Sequence, residues 1–140
     1  MAYLFDADVI SELLRSRPSL TYVEWPRAVS QEDQFTSAVV IGETYRGAFR
    51  SPARERHLSN IRECILPAVT VLPYDVAVAE VCGFLSAELE KTGQVLADAD
   101  LQIAATAVYH NFELVTGDLR HFARIPWLRC EPVRANARRS

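Results

Sequence analysis

The sequence is poor in several features that mark large protein classes. Lysine occurs once, at Lys91, and the 15 basic residues are outnumbered by 18 acidic ones, for a formal net charge of −3. Such a balance advertises no basic face of the kind that neutralises phosphates. It is still compatible with a site where cations offset clustered carboxylates, so net charge alone decides little. Cysteine occurs three times, at Cys64, Cys82 and Cys130. The odd count, the wide spacing and the lack of a CxxC pair argue against a disulfide framework and a thiolate zinc site. Their apolar neighbours lead us to expect buried, reduced, structural thiols. No apolar run approaches bilayer-spanning length, and Asp6 and Asp8 interrupt the apolar N-terminus, which argues against a signal peptide. We therefore expect a cytoplasmic protein without membrane contacts. Internal repeats, Gly/Ser-rich linkers and a convincing Ser/His or Cys/His dyad are all missing.

What is present reads as one globular domain. At 140 residues, 49% hydrophobic and 24% charged, the chain can bury a core without staples. Tyr3–Phe5 is a short apolar run that stops at Asp6, and Val9–Leu14 then takes helical spacing. A buried strand thus delivers an aspartate into a loop or helix start. Arg15-Ser-Arg-Pro18 ends that helix, and Leu20–Val29 is a weaker helical stretch disturbed by Pro26. Phe35–Ser37 suggests a second strand, with Ser37 placed to cap a helix over Val40–Arg50. In that helix Ile41, Tyr45, Ala48 and Phe49 share a face, which leaves Glu43 elsewhere on the circumference. Pro52 starts a helix over Ala53–Leu66, closed by Pro67. Val69–Leu72 is a β-branched, apolar strand. Asp75 opens a long helix to Thr92 with Gly93 as its terminator. Asp98–His110 is an Ala-rich helix ending at Asn111, and Leu114–Thr116 and Leu128–Glu131 are the last strands. This alternation predicts an α/β fold, a three-layer α/β/α sandwich with a mostly parallel central sheet. The tail Arg134–Ser140 carries three arginines and no acid. It reads as a basic, solvated end beyond a single domain spanning residues 1–133.

In open α/β sheets ligands bind beyond the carboxyl ends of the strands, so acids placed there carry the most weight. Asp6 follows the first strand, and Asp118 follows Leu114–Thr116 through Gly117. Glu43 and Asp100 lie on or near helix starts that can lean over the same edge. Magnesium takes oxygen ligands of this type. In two-metal phosphodiester cleavage, ions about 3.5–4 Å apart clamp the attacking and leaving oxygens. Without a cation, crowded carboxylates repel one another and some rise in pKa. Each acid also has a structural reading. Asp8 alone reads best as a cap of the first helix. Asp98 and Asp100 suit the positive end of a helix dipole, Asp118 is ordinary turn chemistry, and Glu43 is one more solvated glutamate. His121 reads as a surface turn residue, and Trp25, Trp127 and the tyrosines as core or interface groups. The ordered set of acids, rather than any single one, points to a metal site.

The segments around these acids form a recognisable series. Tyr3-Leu-Phe-Asp6-Ala-Asp8-Val-Ile-Ser-Glu-Leu13 resembles the opening of PIN-domain ribonucleases, specifically the VapC-type toxins. Thr36-Ser-Ala-Val-Val-Ile-Gly-Glu43-Thr-Tyr-Arg-Gly47 is similar to their second motif. Asp100-Leu-Gln-Ile-Ala-Ala-Thr-Ala107 resembles the third, and Leu114-Val-Thr-Gly-Asp118-Leu-Arg-His-Phe122 the fourth. The four stand in the family's order and cover nearly the whole chain. The resemblance implies a PIN-like fold and a Mg²⁺-dependent endoribonuclease, with Mn²⁺ as a substitute ion. It also implies an RNA substrate, a homodimer and silencing by a cognate antitoxin protein. By the same analogy Asp6 and Asp100 are direct metal ligands, and Glu43 and Asp118 complete the catalytic set. Thr116 steadies the first carboxylate by a hydrogen bond. The chain departs from the pattern at Ala7, where threonine is usual, at Asp8, where asparagine is common, and at His121, where many relatives carry aspartate. Asp98 competes for the third position, but the Ile-Ala-Ala register selects Asp100. No substrate-binding residue is assigned at this level.

Two other readings compete. Leu4-Phe-Asp6-Ala-Asp8-Val9 also fits the Asp-x-Asp opening of haloacid dehalogenase-like phosphatases, with Thr116-Gly-Asp118 as a late acidic motif and Lys91 as the basic residue. That reading leaves Glu43 and Asp100 without a role and lacks a second acid soon after Asp118. A non-catalytic PIN-like interaction module is the other. It gives no physical reason to keep the carboxylates.

Overall fold

A computed structural model of the chain describes residues 2–13 and 30–132. The expected helix end at Arg15–Pro18, the stretch Leu20–Val29 and the tail 134–140 lie outside the described residues. Five strands, β1 (Tyr3–Phe5), β2 (Gln34–Ser37), β3 (Thr70–Leu72), β4 (Glu113–Thr116) and β5 (Cys130–Pro132), form one sheet. Their order is β3-β2-β1-β4-β5, and all four pairings are parallel. β1 is central, which explains its unbroken apolar run: a parallel strand is covered on both faces, and Leu4 and Phe5 are fully buried.

The helices are α1 (Ala7–Leu13), α2 (Ala38–Arg50), α3 (Arg54–Asn60, running into a π turn at Ile61–Ile65), α4 (Val76–Lys91), α5 (Asp98–His110) and α6 (Leu119–Phe122). Right-handed crossovers place the helices that lead from β1 to β2 and β3 on one face of the sheet, and those leading back to β4 and β5 on the other. The packing agrees, since α2 touches α1 and α3 while α4 packs along α5. This is the expected α/β/α arrangement. Because the strand order reverses at β1, the carboxyl ends of β1 and β4 flank a topological switch point, where such sheets bind ligands. Among the described residues no helix is long and apolar enough to cross a membrane.

Local signals set most helix ends. Ser37 Oγ accepts from Val40 N at 3.0 Å and Asp75 Oδ1 from Val78 N at 3.1 Å, each satisfying a donor that a helix start leaves open. Gly93 follows α4 with φ +72°, and Asn111 closes α5 with φ 59°. Both sit in the left-handed region that helix termini favour.

Three expectations are corrected. The buried side of α2 is Val40, Ile41, Thr44 and Ala48, whereas Phe49 is 50% exposed. Thr44 can face inward because its hydroxyl donates to Val40 O at 2.8 Å. Phe49 instead lies under the Arg54 guanidinium, 5.8 Å from the ring centroid, a favourable cation–π contact. Cys64 is exposed and Cys82 and Cys130 are half-buried, all as free thiols. The last strand starts only at Cys130, after Trp127 with φ 66°. Pro132 is tolerated there because β5 is a sheet edge.

Candidate active site

The site grows from the end of β1. Asp6 N donates to Val115 O at 3.0 Å, so the ladder between β1 and β4 carries the residue onto the sheet edge before α1 begins. Its side chain is buried, 6% exposed, and each carboxylate oxygen has a donor. Ala7 N donates to Oδ1 at 2.7 Å, and Thr116 Oγ1, at the end of β4, donates to Oδ2 at 2.8 Å. The Thr116 hydroxyl in turn accepts from Asp118 N at 3.0 Å. Burial pushes the Asp6 carboxyl up to about 7. The two hydrogen bonds oppose that rise, and the nearby charges of Asp8 and Asp100 add to it.

Asp8 lies in the first turn of α1, but its Oδ2 accepts from Gly117 N at 2.6 Å. It therefore ties the start of α1 to the turn after β4, and the simple helix-cap reading is corrected. Asp100 projects from the first turn of α5. Its Oδ2 accepts from His121 Nε2, on α6, at 2.7 Å; a carboxylate can only accept, which makes the imidazole the donor. Glu43, on the outer part of α2, has its carboxyl raised by partial burial and by the Asp100 charge, with Arg46 opposing. Asp100 thus acts electrostatically on Asp6 and on Glu43, which come from different elements.

Asp118 occupies a different place. It precedes α6, and its carboxylate is exposed, lining an open cavity with Arg120, His121 and Arg124. Its link to Asp6 runs through its backbone N–H and the Thr116 hydroxyl. Asp98 turns elsewhere, lining a separate cavity with Gln94, Leu96 and Leu101. The reading of His121 as a surface turn residue is corrected, since it lies on α6 and bonds Asp100. The available signal was its position in the fourth motif, where an imidazole replaces an acid, but its partner is 21 residues away. Cys130, on β5, has a thiol pushed up to about 11 by burial and by Asp6, so it is not an ionised nucleophile near neutral pH.

A buried carboxylate with a raised pKa beside other acids, at the switch point of a parallel sheet, has the character of an acidic, cation-binding functional centre. The PIN-domain family model matches residues 3–128, and the chain belongs to that family, within its VapC ribonuclease branch. It is 33% identical over 124 residues to VapC ribonuclease Y4jK of Sinorhizobium fredii, covering 85% of this chain and 89% of that protein. It is 36% identical over 95 residues to the tRNA(fMet)-specific endonuclease VapC of Salmonella typhimurium, covering 68% and 71%. Among solved structures, DNA-bound VapBC from Salmonella typhimurium superposes with a TM-score of 0.86 at 28% identity, covering 95% of this chain and 98% of that one. The family sets aside the phosphatase alternative.

Proposed function

We propose that this chain is a Mg²⁺-dependent endoribonuclease and the toxin of a toxin–antitoxin pair, cytoplasmic and homodimeric, built as one domain over residues 1–133. Asp6 and Asp100 are its metal ligands, and Glu43 and Asp118 complete the catalytic set. The observation that carries this reading is Asp6: a buried carboxyl, poised at about 7 by burial and by its acidic neighbours, held by a hydrogen bond at each oxygen. The relatives named above as ribonuclease and endonuclease support the reaction class, and the VapBC complex supports an antitoxin partner.

The donor set fits a hard divalent cation. Among the described residues no three side chains of His, Cys, Asp or Glu form a ready-made metal cage. Magnesium does not require one, since one or two carboxylates plus waters and substrate phosphates suffice. Bound there, the cation would neutralise the crowded charge, acidify water and offset the phosphate. Asp6 is preoriented by Ala7 N and Thr116 Oγ1, which leaves lone pairs on both oxygens. His121 fixes the rotamer of Asp100. Glu43, with its raised pKa, is suited to receive at a carboxylate oxygen the proton of the attacking water. Attack on phosphorus and rupture of the P–O3′ bond leave a 5′-phosphate, and the departing O3′ oxyanion takes a proton from solvent to become a 3′-hydroxyl.

The test is cleavage of total RNA with Mg²⁺, with EDTA, and by Asp6→Asn. Loss in the last two is expected. Cleavage that persists in EDTA overturns the proposal.

A further inference from the structure

The chain carries a net charge of −3 and concentrates carboxylates where a polyanion would have to bind. Clustered acids repel RNA, and a cation at the site offsets only the phosphate that it touches. Binding of a strand therefore needs local positive charge beside the acids, where neighbouring phosphates lie. The structure offers such a place. The open cavity next to the acidic centre, about 400 Å³, is lined by Asp118, Arg120, His121 and Arg124. Two of these four reach back to the centre. His121 bonds Asp100, and Asp118 is bonded through its backbone to the Thr116 hydroxyl that holds Asp6.

Both arginines are exposed, and neither makes an ion pair with any described residue. They contrast with Arg129, which donates to Asn111 O at 2.8 Å, and with Arg54, which donates to Phe49 O at 2.9 Å. Arg120 on α6 and Arg124 in the turn after it line the same cavity. Their forked donors are matched to phosphate oxygens. Phe122, between them in sequence and 1% exposed, anchors the segment to the core, so the two guanidinium groups are carried on a fixed support.

We propose that this cavity is the backbone-binding subsite of the enzyme, in which Arg120 and Arg124 grip phosphates of single-stranded RNA flanking the one held at the acidic centre. The inference rests on the nuclease reading for its choice of ligand. It assigns positioning of the strand, and no part of the chemistry, to these two residues.

The experiment is RNA binding by the full chain in EDTA, where cleavage does not interfere, using a fluorescein-labelled, unstructured RNA oligonucleotide over a series of salt concentrations. Arg120→Ala and Arg124→Ala should each weaken Kd several-fold at low salt. Each should also flatten the slope of log Kd against log salt by about 0.7, the value for one lost phosphate contact on a single strand. Arg120→Lys and Arg124→Lys should keep the slope while weakening Kd, because the charge stays and the fork goes. With Mg²⁺ present, the alanine variants should raise KM more than they lower kcat. An unchanged slope and Kd in both single variants, each folded by circular dichroism, overturns the inference. The two readings separate cleanly: if the wild-type chain binds with this slope pattern but does not cut RNA, the subsite stands and the nuclease reading fails.

Discussion

His121 Nε2 and Asp100 Oδ2 lie 2.7 Å apart, joining α6 to the start of α5 across the mouth of the site. Metal-ligating carboxylates commonly depend on such outer partners for orientation, and losing one costs about 10–100-fold in metal affinity. His121→Ala is therefore expected to weaken Mn²⁺ binding by about that range, read by isothermal titration calorimetry. His121→Gln, which keeps a donor, should recover part of it. Because both side chains are about a third exposed, the effect on folding should be small, within about 1 kcal/mol in urea titration. Equal Mn²⁺ affinity in the wild type and the alanine variant would mean that the contact does not orient a ligand.

Asp6 makes stability fall as pH rises. Its folded pKa of about 7 lies above the ordinary 3.8, so the folded state binds the proton more tightly than the unfolded chain. No penalty exists below pH 4; it grows between pH 4 and 7 and is complete above 7. Its upper size is on the order of 4 kcal/mol. Asp6→Asn removes the charge and should raise the melting temperature in metal-free buffer at pH 8, with little change at pH 4. A variant that melts lower at both pH values would show that the carboxylate is structural.

The same proton competes with a cation. Ligand carboxylates must ionise to bind metal, so Mn²⁺ affinity should rise about tenfold per pH unit from 5 to 7 and level off above. Calorimetric titrations across that range check it, and a flat profile would contradict the raised carboxyl.

Thr116 is fully buried and uses its one hydroxyl twice, donating to Asp6 Oδ2 and accepting from Asp118 N. Thr116→Val leaves the buried Asp6 Oδ2 without its donor and the more exposed Asp118 N without its acceptor, which should cost about 1–3 kcal/mol in urea unfolding, most of it from Asp6. Since that hydrogen bond lowers the Asp6 pKa, its loss should also move the Asp6 titration, followed by carboxyl-carbon NMR, to higher pH. Thr116→Ser should reverse both effects.

Much of the site was legible along the chain because its placement is local. An apolar run ending in Asp6, another ending in Thr116-Gly117-Asp118, and helices opening at Ser37 and near Asp98 can each be read from a few neighbouring residues. Strand ends and helix starts then bring Asp6, Glu43 and Asp100 towards one edge. What could not be read was which side of an element each group would occupy. Phe49 has the spacing of a core residue and sits outside. Asp8 has the place of a cap and bonds Gly117, 109 residues away.

The sequence by itself determined the order of strands and helices, the caps at Ser37 and Asp75, the left-handed closures at Gly93 and Asn111, and the family to which four acidic motifs belong. Those depend on backbone propensity and hydrophobic period, which act over a turn or a strand. Only the tertiary structure decided that the Asp6 carboxyl is pushed up to about 7, that His121 holds Asp100, and that Arg120 and Arg124 line the cavity beside them. Burial and charge coupling arise from residues brought together through space, and their strength depends on distances that no local pattern contains.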